Sequence, residues 1–590
     1  MSPRSSNDVP VEVALRAVLD GLSPAACETL DARDAFPERT IAAFDAIGLQ
    51  RHYIPVADGG ELVDYERTGR LMREVASFDV TLAVAHGKTY LGAVCVWIAG
   101  SPAQRARLAE IVGAGGAVSW ALTERGHGSD LLAGEVVAEA TDVDAVTRFR
   151  LTGEKWLINN ATRGAALCVL ARTSSDAGPR AYSLVLVEKA ELTPDSWQTL
   201  PKELTHGIRG ADISGIRFDQ ASVPADAIVG GVGRGLEIVL SAMQLTRTMC
   251  CYLSLGASDH ALAIAGGFVL GRELYGRALL ELPAARAVVA DAVAAHVLAE
   301  AFTTFAARSV HALPQEHSAI AAAAKYLVPT LVENSMVSVR RLVGARSLVV
   351  GSTDHGTFSK IERDHRIVSL FDGNTIVNLT TLVSQFPVLL GRRGEAGAGE
   401  DDALRVAADP NAELPEFRPE RLSLLPKRGL SVLRFLRRVA TDGSAGRGLS
   451  GPVADEVRTG VTGLAAELDR LTAQVHSQPR ASVETSVEAF DAAERLAACI
   501  AGAAAVAVWV HGCDTRAGDG NPLWQNALWL RLALHAVADA LGMPTDRPDH
   551  LTDEAVMVFA DATAFGHKIT LLPGGSGHGV NTNSTDAEAS

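Results

Sequence analysis

Residues 120–134 read WALTERGHGSDLLAG. An apolar run ends at Leu122, and the loop that follows carries Thr123, Ser129 and two glycines, Gly126 and Gly128. Small residues let main-chain N–H groups come close to a planar or phosphate-bearing ligand, and hydroxyls supply orienting hydrogen bonds. Standing alone, the stretch reads first as a tight polar turn, so its surroundings decide. From 117 the chain moves in short apolar runs: AVSWAL, GEVVAEAT, RFRLTGEKWLI, ALCVLART, AYSLVLVE and SGIRFDQASV. Turn residues separate them, the pattern of a small antiparallel sheet or barrel over 117–232. Before it, 1–116 places apolar residues at three- and four-residue intervals, as in VEVALRAVLDGL and LVDYERTGRLMREVASF, with Pro37 and Pro102 opening helices. After it, 233–390 holds long helical runs, among them GLEIVLSAMQL, ASDHALAIAGGFVLGREL and HSAIAAAAKYLVPTLVENSMVSVRRLV. The order is helices, sheet, helices. Residues 391–413 are Gly- and acid-rich and read as a linker, 414–570 is helical again, and 571–590 reads as a disordered tail. The fold class is mainly α with a central β domain.

A chain of 590 residues implies three or four folding units. Hydrophobic content of 47% excludes wholesale disorder, and an aromatic share of only 5% beside abundant Ala, Leu and Val favours helical layers. The formal charge of −15 argues against a nucleic-acid-binding surface. The seven cysteines are scattered without a CxxC pair, as expected of reduced thiols in a cytoplasmic protein. The N-terminus lacks an apolar signal core, and the most apolar run, AACIAGAAAVAVWV (497–510), is short for a membrane span and reads as a buried helix. His296, His311 and His317 have no metal-like spacing with acids, so no metal site is expected.

Three further stretches carry chemistry. LTGEKWLINNAT (151–162) ends an amphipathic strand in two asparagines, suited to a turn or to a ligand. GRELYGRALLE (271–281) reads as helix, on which Arg272 and Tyr275, three apart, share a face. SLFDGNTIV (369–377) holds one carboxylate, Asp372, after an apolar pair and before a glycine that permits a sharp turn. That carboxylate is a helix cap or a working base.

Taken together and in order, these segments resemble the acyl-CoA dehydrogenase family of flavoproteins over 10–390. ALTERGHGSDLLA matches the family's A-x-T-E-x-x-G-x-G-S-D loop, with His127 in place of a small residue, and GEKWLINNA is similar to its G-x-K-x-W-I-T-N-G strand. GIRGADISGIRFDQASVPADAIVG looks like the G-x-R-x-S-D loop with its strand and V-P segment, RELYG matches R-x-x-F/Y-G, and ERDHRIVSLFDGNT resembles the R-D segment running into Y-E-G-T.

The resemblance implies the family's three-part fold: a helical N-terminal domain, a small β barrel or sheet and a four-helix bundle. It implies FAD as cofactor, with Trp120, Leu122 and Thr123 at the flavin ring and Ser129 near both cofactor and thioester. The family's Trp and Thr near flavin N5 fall on Leu157 and Asn159, so the indole is lost or supplied by Trp156. Arg272 and Tyr275 fall where the family reaches the FAD of a neighbouring subunit, which implies a homodimer or homotetramer. Arg341, Gly344 and Asn374 fall on further cofactor contacts; Arg341 replaces a glutamine, and LPAAR stands where another glutamine is usual. Arg247, Phe371 and Gly373 are expected at the substrate.

Asp372 falls on the catalytic glutamate, the base that takes the proton α to a thioester carbonyl. Aspartate is one methylene shorter, which draws the base back by about 1.5 Å. A misplacement near 1 Å costs on the order of 100-fold in rate. The expected activity is α,β-dehydrogenation of an acyl-CoA or an acyl-carrier-protein thioester, with electron-transfer flavoprotein or oxygen as acceptor. A flavin oxidase on the same fold, of the nitroalkane-oxidase or acyl-CoA-oxidase kind, and a degenerate binding scaffold stand as alternatives. The added C-terminal unit loosely resembles the helical extension of very-long-chain dehydrogenases and acyl-CoA oxidases. Its RGLSVLRFLRRVA (428–440) sets arginines beside an apolar stripe, suited to packing with extended arginines or to a membrane or carrier-protein surface; membrane contact is expected nowhere else.

Overall fold

The structure, a computed structural model, describes residues 9–143, 146–350, 353–390, 399–475, 485–516, 520–543 and 546–572. Six helices come first: α1 (Val11–Asp20), α2 (Pro24–Ala32), α3 (Glu38–Ala46), α4 (Tyr65–Phe78), α5 (Val80–Ala99) and α6 (Pro102–Gly113). Eight strands follow: β1 (Val118–Ala121), β2 (Val137–Val143), β3 (Val146–Asn159), β4 (Ala166–Arg172), β5 (Tyr182–Glu188), β6 (Trp197–Leu200), β7 (Ile213–Pro224) and β8 (Ile228–Val229). Then come α7 (Gly235–Gly271), a hairpin of β9 (Glu273–Leu274) and β10 (Arg277–Ala278), α8 (Pro283–Ala312), α9 (His317–Val343), α10 (Thr353–His365) and α11 (Thr375–Leu389). The last helices are α12 (Glu400–Ala408), α13 (Ser431–Asp442), α14 (Gly451–Val475), α15 (Val487–Arg516), α16 (Leu528–Ala540) and α17 (Asp549–Ala564). The described residues fall into two compact units, one drawn from Met1–Thr246 with Phe417–Arg421, the other from Arg247–Glu416 with Leu422–Ser590.

In the first unit, α5 is apolar on nearly every face and is the buried centre of the N-terminal helices. Pro102 opens α6 at its first position behind a Ser101–Gln104 capping box, which satisfies donors that a helix start leaves open. The eight-stranded sheet runs β6-β7-β3-β2-β4-β5-β8, with β1 beside β4. It is antiparallel except where β1 and one residue pair of β2 run parallel to β4. Leu151, Ile158, Leu167, Val169, Val185, Ile216 and Phe218 fill its core. Two irregularities interrupt β3 against β7, and the second, between Trp156 and Ile158, leaves Leu157 as the extra residue.

In the second unit, α8 packs against α9 and also against α12, α15, α16 and α17, so the C-terminal helices share a core with the bundle. Trp509, Trp524 and Trp529 stack and cross within it. Arg531, fully buried, donates to Glu456 at 2.9 Å and to Glu554 at 3.0 Å. Four helices (α5, α7, α8 and α15) are long and apolar enough to cross a membrane by composition, but 78–89% of their most apolar windows lies buried in the protein.

Several expectations need correction. The two apolar runs between 235 and 271 form the single helix α7 of 37 residues. Arg272 and Tyr275 are not on a helix. The chain turns through Tyr275 (φ 55°) and Gly276 (φ 75°), a two-residue hairpin loop with both φ values positive, and the glycine makes that turn cheap. Within 391–413, residues 391–398 lie outside the described residues, whereas α12 is a helix with Leu404, Ala407 and Ala408 buried: its acids occupy the first turn, where they favour a helix start rather than disorder. Of the tail expected at 571–590, residues 573–590 lie outside the described residues; Leu571 is buried, its N–H donating to Glu300 at 2.8 Å. On α13, Val432, Leu433, Phe435, Leu436 and Val439 are buried, and Arg434, Arg437 and Arg438 pair with Glu400, Asp469 and Asp401. The arginine stripe is thus committed to acids of its own unit.

Candidate active site

Asp372 lies in the loop between α10 and α11. Its φ is 55° and that of Gly373 is 92°, so two consecutive residues are left-handed, a conformation costing about 1–2 kcal/mol for a residue with a Cβ. The surrounding helices hold that turn. Lys325 of α9, almost fully buried, donates to Val368 O at 2.6 Å and Gly373 O at 3.2 Å, and its ammonium stands 5.6 Å from the Phe371 ring centre. Glu333, also on α9, accepts from Ser369 Oγ at 2.8 Å; burial raises its carboxyl above the ordinary value. Asn378 Nδ2 donates to Gly373 O and Asn374 O at 2.9 and 3.0 Å.

The cap of α11 is Asn374, whose side-chain oxygen accepts from Val377 N at 2.9 Å. Asp372 Oδ2 lies 3.4 Å from Cys250 Sγ, a thiol one helical turn along α7 from Arg247. Arg247 is buried, with no partner for Nε among the described residues. Burial lowers its pKa to about 10, opposed by the charge of Asp372, so it stays cationic at neutral pH. Its guanidinium packs on Gly373: a Cβ there would stand 3.2 Å from Nη2 and 3.3 Å from Nε. The loop therefore needs glycine for conformation and for space.

In the first unit, the loop after β1 is fixed from beneath by a buried ion pair. Glu124 accepts from Lys155 Nζ at 2.7 Å and from the N–H groups of Glu135 and Val136 at 2.6 and 3.1 Å, and Lys155 also donates to Leu122 O at 2.9 Å. Burial alone would lift the Glu124 carboxyl; Lys155 and the two N–H groups outweigh it and hold the carboxyl below its ordinary value. Thr123 O accepts from Trp156 N at 3.0 Å, which ties the loop to the end of β3. Leu122 and Thr123 are half-buried, Ser129 is exposed, and a Cβ at Gly126 or Gly128 would meet nothing within 4 Å. Leu157, left-handed at φ 54°, turns an apolar side chain outward, 40% exposed. Asn159 Nδ2 reaches Val84 O at 3.4 Å while its Oδ1 is buried without a donor among the described residues. Trp156 Nε1 donates to Glu203 at 2.6 Å, and Arg125 covers its ring at 4.6 Å.

The structure thus brings Arg247, Phe371, Asp372, Gly373 and Asn374 together in one unit, and Trp120, Leu122, Thr123, Leu157 and Asn159 in the other. Arg341 and Gly344 are exposed at the end of α9, and Tyr275 is 95% exposed at the hairpin tip. Sequence reasoning missed Cys250, Lys325 and the Glu124–Lys155 pair. Two signals were there: Cys250 follows Arg247 by three on a helix, and Lys325 is a single charge inside an apolar run, whereas Lys155 sits beside Glu154 and does not stand out.

Residues 13–115, 119–221 and 233–385 match the N-terminal, middle and C-terminal domain models of acyl-CoA dehydrogenase. The chain belongs to the acyl-CoA dehydrogenase family. It is 25% identical over 373 residues to the protein named "Probable acyl-CoA dehydrogenase fadE25" of Mycobacterium leprae (strain TN), covering 63% of this chain and 92% of that one. Among solved structures, butyryl-CoA dehydrogenase from Megasphaera elsdenii shares the fold over 64% of this chain and 98% of its own, at 20% identity and a TM-score of 0.58. An acyl-CoA dehydrogenase complexed with FAD from Bacillus anthracis shares it over 95% of both chains, at 15% identity and a TM-score of 0.67, so the C-terminal helices recur there too. Membership implies an oxidoreductase acting on acyl-CoA, in a family that carries FAD.

Proposed function

We propose that this protein dehydrogenates an acyl thioester between its α and β carbons, with bound FAD and with Asp372 as the base. The observation that carries the reading is the division of labour at 372–374: Asn374 caps the helix, and the Asp372 carboxylate is left beside a charged, buried Arg247. The β-domain residues fit the cofactor. Leu157 presents an apolar surface for an aromatic ring, Asn159 Oδ1 offers a buried acceptor near it in sequence, and the open ground over Gly126 and Gly128 admits close backbone approach. Trp120, Leu122, Thr123 and Ser129 complete that face, with Arg341 and Gly344 as further contacts and Arg272 and Tyr275 reaching the cofactor of a second subunit of a homodimer or homotetramer.

FAD supplies the acceptor for the hydride that leaves the β carbon. The chain does the rest. Asp372 receives the α proton on a carboxylate oxygen, and its main-chain N–H donates to the thioester carbonyl as negative charge develops there. Arg247 sets a positive charge beside the carboxylate and packs on Gly373. Phe371 and the buried Lys325 exclude water from the inner side of the loop. The thiol ester is carried by coenzyme A or by an acyl-carrier protein, and electron-transfer flavoprotein or oxygen removes the electrons.

The test is the visible spectrum of the purified protein, loaded with FAD, before and after anaerobic addition of a panel of acyl-CoAs. Bleaching of the flavin band, lost in Asp372→Asn with FAD still bound, is the expected result. Bleaching that survives Asp372→Asn removes the base assignment. Failure to bind FAD removes the enzyme reading and leaves a scaffold. One observation favours a second reading: an aspartate, not a glutamate, occupies position 372, as in the branch of the family that oxidises nitroalkanes. Reduction by a nitroalkane but by no thioester, with rapid reoxidation in air, would select that reading.

A further inference from the structure

One face of α7 meets the loop that carries Asp372, and the helix before that loop, at three points. Residues 247, 250 and 254 stand at i, i+3 and i+7, so their side chains line up along the helix. Arg247 packs on Gly373. Cys250 Sγ donates to Asp372 Oδ2 at 3.4 Å. Ser254 Oγ lies 2.9 Å from Nε2 of His365, the last residue of α10. All three α7 residues are buried, whereas Asp372 is half-buried. The middle contact therefore reaches the carboxylate from its buried side. Cys251 shows the ordinary alternative for a thiol on a helix: it donates within α7, to Arg247 O at 3.5 Å.

The bonds from Lys325 and Asn378 end on main-chain carbonyls of Val368, Gly373 and Asn374, and so set the path of the backbone. The Cys250 bond acts on something else, the side-chain torsions of Asp372. An aspartate head swings through a wide arc when χ1 or χ2 changes, and turning it away from Cys250 forfeits this bond. The donor type matters as well. A strong donor to a carboxylate stabilises its charged form and so opposes the uptake of a proton. A thiol is a weak donor, which can direct the carboxylate at little cost to its work as a base.

We propose that Cys250 is a positioning residue for the reaction: its thiol holds the Asp372 carboxylate at the angle from which it takes the substrate's proton. The inference rests on the reading of Asp372 as the base, and it applies whether that proton comes from a thioester or from a nitroalkane. It assigns α7 two separate tasks at the loop. Arg247 brings charge and packs on Gly373, and Cys250 aims the side chain one residue before it. Cys250 acts through Asp372, so its loss should slow proton abstraction without weakening the hold on the substrate.

The experiment compares Cys250→Ala and Cys250→Ser with wild type, each loaded with FAD, by anaerobic stopped-flow reduction with straight-chain acyl-CoAs and with nitroethane. With whichever of these reduces wild type, Cys250→Ala is expected to lower the limiting rate by about tenfold or more while the apparent Kd stays within about threefold. Cys250→Ser keeps a donor on the same Cβ and is expected to hold the rate within about threefold of wild type. A second readout needs neither turnover nor a variant at 250. In the infrared difference between wild type and Asp372→Ala, one S–H stretching band is expected to move to higher frequency as the thiol loses its acceptor. A Cys250→Ala rate within about threefold of wild type, a Cys250→Ser rate as low as that of Cys250→Ala, or S–H bands unmoved by Asp372→Ala would each overturn the proposal. Wild-type protein that none of these substrates reduces would remove the parent reading and this inference together, an outcome told apart by the wild-type trace itself.

Discussion

Replacing Lys325 by methionine keeps an unbranched side chain of similar length and removes one buried charge with its two hydrogen bonds, to Val368 O at 2.6 Å and Gly373 O at 3.2 Å. Hydrogen bonds from a charged donor contribute about 1.5–3 kcal/mol each. Against that, burying an ammonium carries a desolvation cost that the variant no longer bears. Gly373 O keeps its bond from Asn378, whereas Val368 O loses the Lys325 donor. The balance is a loss of about 2 kcal/mol, enough to lower the melting temperature by a few degrees. The kinetic effect is expected to be larger. Both carbonyls belong to the turn that carries Asp372, and a base displaced by about 1 Å slows proton abstraction on the order of 100-fold. Stopped-flow reduction of the bound flavin by a reactive acyl-CoA measures that step, and scanning fluorimetry measures the stability. A reduction rate within about threefold of wild type, with the melting temperature lowered as expected, would refute the idea that Lys325 positions the base rather than merely filling the core.

Other expectations follow from single positions. Gly373→Ala places a Cβ 3.2 Å from Arg247 Nη2 at a φ of 92°, so it should destabilise by at least about 1–2 kcal/mol and slow flavin reduction with Asp372 untouched; wild-type kinetics would show that Arg247 does not rest on this turn. Leu157→Gly relieves a left-handed leucine at φ 54°, so the FAD-free protein should melt slightly higher while FAD binds more weakly; tighter FAD binding would contradict the role given to this side chain. Glu316 accepts from Ser431 N at 2.8 Å and Ser431 Oγ at 2.9 Å, and burial pushes its pKa up to about 7. Because the folded value lies above the unfolded one, the protonated form is favoured in the fold. Its stabilisation is complete below the ordinary glutamate range and is lost as pH rises through about 7, a change on the order of 3 kcal/mol. Glu316→Gln should flatten the melting-temperature profile between pH 5 and 8, and an unchanged slope would count against this carboxyl as the source.

Much of this protein is legible in one sequence because it rests on local rules. Alternating apolar residues from 117 mark a sheet, three- and four-residue spacing marks the helices around it, and the spacing of ALTERGHGSDLLA, GEKWLINNA and RELYG marks the family. Asp372 stands out because one carboxylate follows two apolar residues and precedes a glycine. Other features depend on partners far away along the chain, and only the tertiary structure decided them. That Asn374 rather than Asp372 caps α11 shows only in the fold, and the surroundings of Asp372 turned on Arg247 and Cys250, more than 100 residues earlier. Lys325 is an ordinary lysine until two carbonyls of a distant loop meet its ammonium. The hairpin at Tyr275–Gly276 defeated a helical reading because two positive φ values override the propensity of their neighbours. Periodicity records which face of an element is buried, and that is a property of the element itself. Which polar group meets which inside the fold depends on how the elements come together, and no spacing in the sequence records it.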